Sequence, residues 1–78
     1  MTEDGAMEVW RLAKDSPGPM TLHEAARELG YESSRGVAKR ISAAWGWFDY
    51  RGHDSKAAEI ARTFVDRNYK FPWEGKWS

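Results

Sequence analysis

Five basic side chains fall within residues 33–56: Arg35, Lys39, Arg40, Arg51 and Lys56, against two acids, Asp49 and Asp54. Guanidinium and ammonium groups at this density suit phosphate, because they neutralise a nucleic acid backbone and release its counterions. An arginine can also hold a guanine edge through two parallel hydrogen bonds, worth about 1–3 kcal/mol of discrimination. Arg35 is the leading candidate for that contact. The competing expectation is a solvated face, which one of Lys39 and Arg40 is expected to be. Over the whole chain 12 basic and 12 acidic residues cancel, a balance that argues mildly against a nucleic acid binder. The distribution is uneven, however. Residues 1–32 hold seven acids and three bases, and residues 57–78 hold three acids and four bases.

Other chemistries find little support. The chain has no cysteine, which excludes disulfides and thiolate metal sites. His23 and His53 are far apart, and only Asp49 and Asp54 lie near His53, so no metal is expected. There is no nucleophile elbow, no glycine-rich phosphate loop and no carboxylate pair set in an apolar surround. Neither a cofactor nor catalysis is expected.

To present Arg35 and Lys39 together the chain needs a helix, and the apolar spacing predicts one over 34–45. Val37, Ile41, Ala44 and Trp45 fall on one side, Arg35, Lys39 and Ala43 roughly opposite, and Gly36, Arg40 and Ser42 on the flanks. Ser33 or Ser34 can cap it. Gly36 leaves its flank without a side chain, and Gly46 is expected to end the helix. A preceding helix over 21–29 opens with Thr21-Leu-His-Glu24, a capping box. It buries Leu22, Ala25, Ala26 and Leu29 and stops at Gly30, which supplies a left-handed backbone. Earlier still, Ala6, Val9, Trp10 and Ala13 predict a helix over 5–14, with residues 1–4 frayed and Asp15-Ser-Pro-Gly-Pro19 as the break. After Gly46, Phe48 and Tyr50 alternate with Asp49 and Arg51, which predicts a short strand over 47–51. Ala57, Ile60, Ala61 and Phe64 predict a last helix from Asp54 or Ser55, capped near Asn68. In the tail, Tyr69, Phe71 and Trp73 recur at every second position. They form either a strand beside 48–51, confined to a sheet edge by Pro72, or an extended arm over the core. Residues 74–78 are expected to be flexible, and 1–78 to make a single domain.

The stretch Gly-Tyr-Glu-Ser-Ser-Arg-Gly-Val, with Ala25, Ala26, Gly30 and Val37 at the positions where two helices brace each other, resembles the winged helix-turn-helix family. Its longer turn is similar to the DNA-binding domain of LexA-type repressors, over about residues 7–52. The resemblance implies a mainly α fold: a three-helix helix-turn-helix core, a short β-hairpin or wing, and here an additional C-terminal helix. It implies a recognition helix from about Ser34 that enters the DNA major groove. Ser34, Arg35, Lys39 and Ser42 then face bases or phosphates, with Arg40 on the flank, and Arg51 sits in the wing. The helix expected after Asp54 departs from that pattern, since a second wing strand belongs there. The protease half of such repressors is missing, so self-cleavage is not implied.

The expected function is a small sequence-specific DNA-binding protein, a transcriptional regulator or an accessory factor of a phage or mobile element. The alternative is a protein-interaction module on the same scaffold. Trp47, Trp73 and Trp77 bear on it, since exposed together they make a surface for a protein partner or a homodimer, or a platform for single-stranded bases. Wrapped on the core they do none of these. No apolar run reaches the roughly 18 residues that cross a bilayer. The acidic start MTEDGAMEVW lacks the order of a signal peptide, so a cytoplasmic protein with no membrane contact is expected.

Overall fold

A computed structural model describes residues 1–77, with side-chain surroundings through Gly75. Five helices and one two-stranded sheet follow in the order α1 (Glu3–Asp15), β1 (Met20–Thr21), α2 (Leu22–Leu29), α3 (Ser34–Tyr50), α4 (Asp54–Thr63), β2 (Phe64–Val65) and α5 (Pro72–Trp77). The protein is thus mainly helical. None of these helices is long and apolar enough to cross a membrane.

Local chemistry sets most helix ends. Thr2 caps α1, its hydroxyl accepting from the Gly5 N–H at 3.1 Å, so the helix starts at Glu3 and the expected fraying of residues 3 and 4 is not found. The capping box of α2 is complete: the Thr21 hydroxyl accepts from the Glu24 N–H at 3.2 Å, and Glu24 Oε1 accepts from the Thr21 N–H at 3.3 Å. Such a cap is worth about 1 kcal/mol. Gly30 ends α2 at φ +76°, and the Tyr31 N–H donates to the Ala26 carbonyl at 2.8 Å. Ser33 caps α3 through the Gly36 N–H at 3.1 Å.

The strand expected over 47–51 is not formed. Residues 47–50 are the last turn of α3, which runs through Gly46 without a break. The stop is Gly52, at φ +76°. There the His53 N–H donates to the Phe48 carbonyl at 2.9 Å and the Gly52 N–H to the Asp49 carbonyl at 3.2 Å. Those two bonds make a Schellman ending, and the His53 ring against the Phe48 ring, centroids 6.0 Å apart, supplies its usual apolar contact. Helical spacing puts Phe48 in line with Ile41, Ala44 and Trp45, so the longer helix buries an aromatic that a strand would have had to house elsewhere. Phe48 is 1% exposed, whereas Tyr50, two residues on, is 87% exposed.

No wing follows among the described residues. The sheet pairs Met20 with Phe64 and Thr21 with Val65 in parallel, and parallel neighbours require a long crossover, here the two helices α2 and α3 together with α4. Helix α4 therefore stops at Thr63, well short of the cap expected near Asn68. Thr63 is buried and its hydroxyl turns back to the Glu59 carbonyl at 2.8 Å, with the Ala13 carbonyl at 3.5 Å. Phe64 leaves the helix to bury its ring.

The tail is an arm on the core that ends in α5, and it is not a strand. Tyr69 meets Phe71 edge-on at 4.9 Å, Phe71 stacks on Trp73 at 4.3 Å, and Trp73 reaches Trp45 of α3 at 5.9 Å. Pro72 opens α5, where a missing N–H costs nothing. The Glu74 carboxylate accepts from the Phe71 N–H at 2.6 Å. Residues 74–77, expected to be flexible, belong to this helix; Ser78 lies outside the described residues. One core joins α1, α2, α3, α4, both strands and the arm.

Two variants separate a helix from a strand over 47–50. Phe48→Ala should lower stability by about 3–5 kcal/mol, and Tyr50→Ala by less than about 0.5 kcal/mol, in urea denaturation followed by tryptophan fluorescence. Equal losses would require the two rings to share a face. In the same assay Gly46→Ala should raise stability by about 1 kcal/mol, because a Cβ there meets nothing within 4 Å. A loss on that substitution would mean that α3 breaks at Gly46.

Candidate nucleic acid interface on α3

Helix α3 packs against α1, α2 and α4. It buries Val37, Ala38, Ile41, Ala44, Trp45 and Phe48. Its solvent side carries Arg35, Lys39, Ala43, Gly46 and Tyr50, four, four, three and four residues apart, as one stripe of a helix requires. Ser34, Arg35 and Lys39 are exposed. Among the described residues no ion pair or side-chain hydrogen bond holds Arg35 or Lys39. Glu28 and Glu32 are likewise exposed, and neither pairs with them. The first turns of α3 thus present two cations outside any ion pair, with the hydroxyl-bearing Ser34 beside Arg35.

The other expected residues are placed differently. Arg40 is turned to α1: its Nη2 lies 3.4 Å from Glu8 Oε1, and its side chain is 34% exposed. The missing side chain of buried Gly5 makes room for that guanidinium, since a Cβ there would come within 3.1 Å of Arg40 Nη2. Ser42 is half-buried, with its hydroxyl 3.4 Å from the Tyr69 hydroxyl of the arm. Gly36, expected to leave a flank clear, is occupied by Tyr31, whose ring would lie 3.3 Å from a Cβ.

Arg51 follows the last residue of α3 and is part of no wing. It lies 16 residues beyond Arg35, about 24 Å along the axis at 1.5 Å per residue. Its Nη1 donates to the Trp47 carbonyl at 3.2 Å, and its guanidinium lies 3.9 Å from the Trp47 ring centroid. A cation at a helix C-terminus also meets the negative end of the dipole, so Arg51 serves its own helix. A continuous basic face from Arg35 to Arg51 does not exist; Ala43, Gly46 and Tyr50 interrupt it.

Among the described side chains, Trp47 and Trp73 do not make a shared exposed patch. Trp73 is buried in the arm, and Trp47 is half-covered by Arg51 with the His53 ring parallel to it at 6.3 Å. The side chain of Trp77 lies outside the described ones. Trp10 is held between two cations, Lys14 Nζ at 5.1 Å and Lys56 Nζ at 4.8 Å, which ties α4 to α1 and engages Lys56.

The sequence reading missed the segment after β2. Residues Asp66, Asn68 and Tyr69 line a groove of about 360 Å³ together with Leu22, Ser34 and Arg35. It lies beside a second hollow of about 540 Å³ lined by Thr21, Val65, Asp66, Arg67 and Asn68. No signal in Asp-Arg-Asn-Tyr-Lys announces this, because the segment comes to Arg35 only through the pairing of β2 with β1. Among the described residues no group of three or more His, Asp or Glu side chains could hold a metal.

Comparison of the chain with family models, with curated proteins and with solved structures finds no match.

Proposed function

We propose that the protein binds double-stranded DNA, with the first turns of α3 in the major groove in the manner of a helix-turn-helix. One observation carries this: Arg35 and Lys39 stand exposed and outside any ion pair among the described residues, one turn apart, at the start of a helix braced from behind by α1, α2 and α4. A rigidly held helix end with free guanidinium and ammonium groups can contact phosphates and base edges without reorganising. Arg35 is the residue suited to read guanine, Lys39 to hold phosphate, and Ser34 to add a hydrogen bond to either. A role in transcription or in a mobile element would follow from sequence-specific binding of this kind.

A second reading has its own observation. Beyond Lys39 the solvent stripe continues as Ala43, Gly46 and Tyr50, and Tyr50 is 87% exposed. Small residues followed by an exposed aromatic suit the close approach of a protein helix.

Fluorescence anisotropy with labelled duplexes, titrated over salt, tests the proposal. The wild type should bind mixed-sequence duplex more tightly than about 10⁻⁴ M at low salt. Arg35→Ala and Lys39→Ala should each lower the slope of log K against log salt by about 1. Slopes unchanged in both variants would remove them from the interface. No binding by the wild type, with self-association or partner capture lost in Tyr50→Ala, would favour the protein reading.

A further inference from the structure

Across the groove from Arg35 stands a segment with the chemistry of a second contact. The two hollows share Asp66 and Asn68 in their lining, so they adjoin as a divided trough, with Arg35 and Ser34 at the start of α3 along one part and Arg67 and Thr21 along the other. Arg67 and Asn68 are exposed. Like Arg35, Arg67 has no ion pair or side-chain hydrogen bond among the described residues. Arg40, Arg51 and Arg62 all have internal partners, whereas the guanidinium groups of the trough are left to solvent.

The segment is held in place. The Asn68 N–H donates to Asp66 Oδ1 at 2.7 Å, a turn that fixes the backbone between them. One residue on, Tyr69 is tied to α3 through Ser42 and to the core through Phe71. A cation and a side-chain amide presented from a braced turn spare the cost of ordering the backbone on binding.

We propose that Arg67 and Asn68 bind the phosphodiester backbone of the duplex that Arg35 enters. The trough is open and carries one cation in each part, Arg35 from α3 and Arg67 from the segment after β2. That arrangement suits an extended polyanion running along it. Asp66 works against it: its carboxylate lies in the trough with one oxygen engaged by the Asn68 N–H, and it repels phosphate. The inference rests on duplex binding through α3, and it makes a prediction of opposite sign at two neighbouring residues.

The test is the salt titration of duplex binding with the full chain, comparing wild type, Arg35→Ala, Arg67→Ala and Asp66→Asn, with thermal melts of each. Arg67→Ala should melt as the wild type does, bind duplex more weakly, and lower the salt slope by about 1. Asp66→Asn keeps an oxygen to accept from the Asn68 N–H and should bind more tightly than wild type. If Arg35→Ala lowers the slope while Arg67→Ala and Asp66→Asn leave affinity and slope unchanged, the second contact is overturned and binding through α3 stands. If the wild type binds no duplex, both fall together.

Discussion

Everything in this small protein hangs on keeping one face of α3 dry along its whole length. Six side chains from Val37 to Phe48 are buried on that face, and no other helix packs against three others so extensively. The neighbours come close because the contacts are built from alanine: Ala6 and Ala13 on α1, Ala25 and Ala26 on α2, Ala38 and Ala44 on α3, and Ala57 on α4 are all buried. Interaxial distance falls as contact side chains shrink, and methyl-sized contacts let four helices share one centre. Larger residues, Val9, Ile41, Phe48, Ile60 and Phe64, then fill the middle.

A chain of 78 residues buries a smaller share of its surface than a larger domain does. The aromatic arm adds to that share. Tyr69, Phe71 and Trp73 lay a run of ring contacts back to Trp45, and each buried aromatic removes roughly 150–250 Å² from water. The arm reaches α3 because β2 pairs with β1, which turns the chain out of α4 and aims it along the flank of α3. Packing and site geometry thus share a cause. The pairing that lets the arm close the core also carries Arg67 and Asn68 to the trough beside Arg35.

The cations divide by what they face. Arg40 and Arg62 meet carboxylates, Arg51 meets a ring and a helix end, and Lys14 and Lys56 meet Trp10. Arg35, Lys39 and Arg67 meet none of these among the described residues. A net charge of zero thus coexists with cations that stand outside any ion pair, Arg35, Lys39 and Arg67 among them. Short-range fields govern contact at physiological salt, where the screening length is about 8 Å, so the placement of these cations matters more than the sum.

Local chemistry was legible in the residues alone. The capping box at Thr21, the left-handed Gly30, the Ser33 cap and the apolar faces of α1, α2 and the first part of α3 depend on neighbours within four residues, and the sequence states those neighbours directly. Arg35 and Lys39 followed as exposed by the same spacing. What lay beyond was decided by tertiary contact. Trp47 to Arg51 fits a strand by alternation and a helix by the burial of Phe48, and only the presence of a core under α3 chooses between them; with it chosen, Gly52 and not Gly46 is the stop. Phe64 and Val65 leave the helix because a strand 44 residues earlier is there to pair with them. Arg40 and Ser42, on the flanks by spacing, and Arg51, in the wing by resemblance, found partners on α1, on the arm and on their own helix end. Each of those outcomes needs a residue distant in sequence or a fixed three-dimensional surround, and periodicity carries no information about either.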